Sequence, residues 1–537
     1  MNLAAGINPA TLAGLQNPAI SSFPIFTLSG YLGSVLTGQD NDGRPKSQNR
    51  AMYELADNLT WVKGKHVLKF GTRIIRRSIE LIDSRTSDGS FNYSGIMTQD
   101  PASSAGTGDA FADWMLGYPA SASRGNYATF WGGIGSYWHF YGQDDWKVND
   151  RLTLNLGLRY EYSPWLTPYL GQGAGFDPTQ ARPIIVSSST DMIDLAAQPD
   201  ASLGYQLYGN FIQTTHQAGL PLTITNKDHT QFAPRIGFAW RPFGEKTVIR
   251  GGFGQFYQLE STNIRLNFNF LPFALVETLN APTNVVPTQA TANFFLNQAF
   301  GAGLSPSQSP VSWEPLPERA DVASDPRFSF GVQRQLPAGM VLSVDYVGTV
   351  GRHLPGSLDI NDPPAGPGSV QARRPYTNYG TISYNTQNGD SSYNSLQARL
   401  DKRFSAGVWY QASYTFSKSL TRQEIPAMGG NGYMNKALSS FDVPQLLTVG
   451  LGYELPFGRG KRYLSHAGKL TDAFLGGWQY QTIDNFHSGV PYTPTISRDV
   501  ANIGVGSQHP NLVGAGCQTS GSLNNYFVLS NFAVPSA

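Results

Sequence analysis

A few carboxylates and histidines are the side chains of this sequence best suited to chemistry, and their spacing limits what they can do. Asp144-Asp145 offers a carboxylate pair of the kind used in acid–base work. Neighbouring residues of a strand point to opposite faces, so the two could not act on one substrate. Asp40-Asn41-Asp42-Gly43 has the start of a calcium loop, but an EF-hand needs an acidic ligand where Gly38 stands and Glu where Asn49 stands. A polar turn is expected there. The 8 histidines are scattered, without the His-Glu-x-x-His pair of a zinc hydrolase. Phe457-Gly458-Arg459-Gly460-Lys461 has Leu455 where a phosphate loop begins with glycine, and Arg462 where it ends in Ser or Thr. Arg250-Gly251-Gly252-Phe253-Gly254 lacks the GxGxxG spacing, and no Gly-x-Ser-x-Gly elbow occurs. No catalytic, cofactor-binding or metal-binding residue is assigned, and no enzyme is expected.

The elements around these residues are strands. Charged residues make up 14% of the 537, against about 25% in an average soluble domain. Aromatics reach 12%, with 26 Tyr and 10 Trp, and there are 58 Gly. That balance suits a wall with lipid on one side and a polar lumen on the other. It suits a secreted all-β adhesin equally well. A net charge of +1 gives no reason to expect nucleic acid. The single Cys517 excludes an internal disulfide framework. No run of 18 apolar residues occurs, and no Lys or Arg precedes Arg44, so neither a transmembrane helix nor a signal peptide is expected in this stretch.

Alternation with period 2 is clearest in Arg151 to Tyr162, where Leu152, Leu154, Leu156, Leu158, Tyr160 and Tyr162 share one face. Thr153, Asn155, Gly157, Arg159 and Glu161 take the other face, over about the 9–11 residues that a tilted strand needs to cross a bilayer. Tight turns then set register. Gly64-Lys65 should place Trp61 opposite Leu68 and Leu59 opposite Phe70. Ser405-Ala406-Gly407 should pair Leu400 with Ala412 and Leu396 with Phe416. Pro337-Ala338-Gly339 should pair Val332 with Val344 and Phe330 with Tyr346. A loop over Pro242 to Glu245 should pair Trp240 with Thr247 and Phe238 with Ile249. Before Arg151 aromatics occupy both faces: an odd loop over Val148-Asn149-Asp150 would put Trp138, Phe140 and Trp146 on the leucine face, the reading preferred here, and a two-residue turn would instead choose Tyr137 and Tyr141. A looser pair joins Leu447 to Tyr453 with a strand near Trp478 to Phe486.

Between the tight turns run long connections at about residues 80–136, 163–230, 258–326 and 348–392, rich in Gly, Ser, Pro, Asn and Thr. Short turns on one side and long loops on the other are the habit of transmembrane barrels, with the short turns periplasmic.

Several runs resemble the Oar-like branch of TonB-dependent outer-membrane transporters. They are Asn58 to His66, Phe111 to Gly117, Gln143 to Lys147 with Leu152 to Glu161, Pro234 to Trp240, Tyr414 to Ser419, Phe441 to Pro444, Tyr453 to Gly458 and Gly476 to Trp478. They come in family order; Gln445 stands where the family more often has His. The resemblance implies a barrel of about 22 strands closed by an N-terminal plug, with a TonB-binding segment before it. Such a family member often has a carboxypeptidase-regulatory-like sandwich in front, which adds a glycan or peptide link by analogy. The expectation is therefore an all-β, antiparallel transmembrane β-barrel of the bacterial cell outer membrane, partial, with about 12 strands. Residues 51–495 would be the barrel, 1–50 an extracellular loop segment, and 496–537 a loop segment truncated before closure. A gene fragment lacking the plug would touch TonB only through its missing N-terminal part. The function implied is active uptake of a scarce ligand, an iron chelate, cobalamin, glycan or peptide, by a wall in contact with outer-membrane lipid. Thr153, Asn155, Arg159, Glu161, Gln397, Arg399 and Asp401 are the lumen-facing candidates. The rival is a secreted soluble all-β binding protein, an adhesin or carbohydrate-binding sandwich, whose strands would run about 5–6 residues.

Overall fold

A computed structural model describes residues 25–31, 46–83, 89–100, 107–127, 131–168, 173–186, 212–258, 274–281, 311–425, 433–496, 498–504, 508–514 and 527–535. Asp40 to Gly43 and Cys517 lie outside the described residues. Twelve strands form one antiparallel path in chain order. They are β1 (Lys46–Lys63), β2 (His66–Asp83), β3 (Trp131–Asn149), β4 (Leu152–Tyr162), β5 (Phe232–Trp240) and β6 (Thr247–Gly254). After them come β7 (Arg327–Gln335), β8 (Met340–Asp359), β9 (Tyr379–Ser405), β10 (Val408–Ile425), β11 (Gln445–Glu454) and β12 (Gln479–His487). Among the described residues β1 and β12 end the path without pairing to each other. At 18 residues for β1 and β2, 20 for β8 and 27 for β9, the longest strands far exceed the five or six of a soluble sandwich, which settles that choice for the barrel.

The turns set the register as their residues require. Trp61 faces Leu68 and Leu59 faces Phe70 across a turn whose Gly64 has φ 60. Val332 faces Val344 and Phe330 faces Tyr346. Leu400 faces Ala412 and Leu396 faces Phe416, although the loop there has two residues rather than three. Ala406 and Gly407 are both left-handed, and an irregularity between Lys402 and Ser405 takes up the extra residue. Trp138, Phe140 and Trp146 join the leucine face through the irregular end of β3. Leu447 faces Phe486 and Tyr453 faces Tyr480. One expectation fails: Trp240 faces Ile249 and Phe238 faces Gly251, two residues away from the expected partners. The backbone N–H of Arg241 bonds to Arg151 and the carbonyl of Lys246 accepts from Gln335, so both residues pair outward and the loop widens. An even shift leaves every side chain on its expected face.

One face of the sheet is apolar and uncovered. Leu158, Ile236, Phe330, Leu396 and Phe416 lie in it on β4, β5, β7, β9 and β10 at 50–56% exposure, a band that water would not tolerate at this extent. One buried cluster joins Ile75 and Ile79 of β2 and Tyr137 of β3 to Leu166, and others lie in segments outside the twelve-strand path. A small sheet of Ile25–Leu28, Ser90–Tyr93, Ser121–Tyr127 and Ala274–Asn280 packs Phe26, Phe91 and Tyr93 against helix α1 (Ala110–Leu116). The Asp109 side chain caps α1 and Gly117 ends it in the left-handed region, which is why Phe111 to Gly117 reads as a fixed run. The connections expected to be structureless are thus partly folded. The one expected over 348–392 shrinks to 360–378, because its polar residues pair with each other as the outer ends of β8 and β9.

Candidate functional site

The face opposite the apolar band carries the charges. Register puts Thr153 of β4, Ala239, Arg250, Gly331, Asp345 and Gln397 of β9 in one row of that face. Asn155 leads the next row through Gly237, Gly252, Ser329, Val347 and Ser395. All the candidate residues of β4 and β9 therefore share one side of the wall, five strands apart.

Ion pairs and amides knit this face together. Asp145 accepts from Lys69 at 2.8 Å, from Asn155 at 2.6 Å and from Gln143 at 3.0 Å. Arg159 bonds to Glu161 on its own strand and reaches His139 at 2.9 Å, while Arg73 pairs with Glu54 at 2.7 Å on the same face. Arg399 pairs with Asp401 at 3.0 Å, and Gln397 donates to Ser395 at 3.1 Å. Arg250 reaches Asp345 at 3.1 Å by passing over Gly331, where a Cβ would come 1.9 Å from the carboxylate. The structure thus joins Arg159 with Glu161, Arg399 with Asp401, and Asn155 with Asp145, but brings no candidate of β4 against one of β9.

A hollow of about 440 Å³ opens in this face over β3 to β8. Gly157, Gly237 and Gly252 form its floor, and none would clash with a Cβ: the nearest atoms stand 3.5 Å or more away. The backbone is left bare without steric need, which is how a wall makes room for something to approach it. Phe256 sits at the rim with two guanidiniums near its ring, Arg235 at 4.7 Å and Arg327 at 5.2 Å. Arg327 is also held by Asp325 at 2.8 Å. Sequence reasoning missed Lys69, His139, Arg235, Arg250, Asp345 and Phe256. Parity carried across each hairpin would have found the first five, whereas Phe256 lies just past a strand end.

Of the adjacent carboxylates, Asp145 belongs to this charged face. Asp144 lies on the apolar one, where His66 meets it at 2.7 Å and stacks on Trp146 at 5.3 Å. Among the described residues no helix is long and apolar enough to cross a membrane, and no three His, Cys, Asp or Glu come together as a metal site.

Known structures with a similar arrangement include the outer membrane transporter YddB from Escherichia coli, at 11% identity and a TM-score of 0.40, over 82% of this chain and 47% of that one. The FrpB iron transporter from Neisseria meningitidis matches at 11% identity and a TM-score of 0.34, over 76% of this chain and 42% of its own. The alcaligin receptor FauA from Bordetella pertussis matches at 10% and 0.32, over 77% and 44%. The chain spans less than half the length of these structures. No curated protein matches it. The family of outer membrane beta barrel domains matches residues 2–537, in accord with the uncovered apolar band and the charged face behind it. The chain belongs to that family, and its place is the bacterial outer membrane.

Proposed function

We propose that the chain is the barrel portion, residues 51–495, of a TonB-dependent outer-membrane receptor of the Oar-like branch, which takes up a scarce ligand with energy from the inner membrane. Residues 1–50 and 496–537 are loop segments in this reading, and the plug and TonB-binding segment belong to polypeptide outside the chain. Thr153, Asn155, Arg159, Glu161, Gln397, Arg399 and Asp401 line the passage. The observation that supports the reading is the two-faced wall, apolar outside and laced with ion pairs inside, with a bare hollow beside two guanidiniums. Transport through such a wall requires no catalytic residue.

Two measurements test it. Reading the DNA on both sides of this reading frame should show, in frame, a signal peptide, a plug and a terminal aromatic strand. Cells making the intact product should then accumulate the ligand, whether iron chelate, cobalamin, glycan or peptide, only while TonB and the proton-motive force are present. Accumulation that survives loss of TonB would refute the energised mechanism.

A further inference from the structure

Five of the six connections on the short-turn side are tight, but residues 455–478, between β11 and β12, fold into a small platform of their own. Phe457 bridges to Tyr463 and packs on its ring at 5.6 Å. The Asp472 carboxylate accepts the backbone N–H of Arg459 at 2.6 Å, and a Cβ at Gly458 or Gly476 would run into that same side chain. Lys461 pairs with Glu454 at 2.7 Å, and the Trp478 indole donates to the Phe474 carbonyl at 2.7 Å. These contacts hold a short helix, α2 (Lys469–Leu475), in a fixed pose.

That pose presents apolar side chains outward. Leu470 is 79% exposed, Phe474 74% and Trp478 60%. Leu470 and Phe474, four residues apart, share one side of α2. Trp478 continues the parity of Tyr480, which lies on the apolar outer face opposite Tyr453. Trp478 therefore extends the apolar face at the short-turn end of the wall, beside the exposed Leu470 and Phe474. Arg459, Arg462 and Lys469 belong to the same segment, so that apolar and basic groups are combined in it as in helices that rest in a membrane interface.

We propose that residues 455–478 are a membrane-surface anchor, seated in the periplasmic leaflet of the outer membrane, where Leu470, Phe474 and Trp478 enter the acyl boundary and the three cations hold the phosphates of anionic phospholipid. The proposal depends on the outer-membrane location and not on what the barrel transports.

The test uses the full chain with Cys517→Ser, reconstituted in nanodiscs, carrying a single bimane-labelled cysteine at Leu470→Cys, Phe474→Cys or Asp150→Cys. Circular dichroism checks that each preparation keeps its sheet. A nitroxide on the lipid should quench the label at 470 and 474 strongly and the label at 150 weakly. Quenching should be stronger from phosphatidylglycerol than from phosphatidylcholine. That preference should weaken about fivefold for each cation lost in a chain with Arg459→Gln, Arg462→Gln and Lys469→Gln. Quenching at 470 and 474 only by a water-soluble nickel chelate would overturn the proposal. So would protection from both quenchers, which would mean that a protein segment covers the stripe.

Discussion

Asp362 sits where β8 and β9 stop pairing, 1% exposed, beside Asn361 at 0%. Asp359 accepts the N–H groups of Asn361 at 2.9 Å and Ile382 at 2.7 Å, while Arg374 bonds to the Asn361 carbonyl at 2.7 Å. Burial and the neighbouring Asp359 push the Asp362 carboxyl up to about 7, with Arg374 pulling it the other way. An unfolded Asp titrates near about 3.9, so between that pH and about 7 the folded state holds more protons and stability falls as pH rises. Protection factors at Asn361 and Ile382, with exchange corrected for its intrinsic base catalysis, should accordingly be higher at low pH within that window than above it, and Asp362→Asn should flatten their pH profile. A wild-type profile that is already flat would refute this. At Gly331 the prediction is steric: Gly331→Val must displace Asp345 from Arg250, and should cost about 1 kcal/mol in a denaturant titration. In an Asp345→Asn background most of that cost should vanish. Alternation identified the face of Thr153 and Asn155, but not the burial of Asp362, which lies in the connection after β8 beside Asp359 and Arg374.

Hairpins are the scale at which local chemistry decided most. Trp61 to Leu68, Val332 to Val344 and Leu396 to Phe416 pair as their turns require. The loop after Trp240 did not, because neighbouring strands claim Arg241 and Lys246, a competition that no local window contains. At Ala406 an L side chain adopts φ 53 beside the left-handed Gly407. Ala406→Gly should relieve that strain and raise stability by about 1 kcal/mol, read as a shifted unfolding midpoint. No gain would indicate that the glycine's extra unfolded freedom offsets the relief.

For the molecule as a whole, the two faces should respond to charge in opposite ways. Leu156 lies in the middle of β4 on the apolar face, and Leu156→Arg should cost roughly 2–4 kcal/mol on unfolding from lipid vesicles. Thr153→Arg, on the charged face, should change stability by less than about 1 kcal/mol. Equal penalties would mean that both faces are covered, and would argue against a single lipid-facing side.

Composition, the recurring alternation and the tight turns were enough to predict an antiparallel wall of about 12 strands and, in strands as regular as Leu152 to Tyr162, the face that each side chain takes. Those features are local, since a period of two and a turn of two or three residues are set by the backbone of a few neighbours. Tertiary structure alone decided the rest. It packed Phe26, from before β1, with Phe91 and Tyr93 of a long connection, joined Arg250 to Asp345 over Gly331, and brought Arg235 and Arg327 to the ring of Phe256. Each brings together residues from separate strands or loops, and alternation gives the side of the wall on which a residue stands, not which distant residue meets it there.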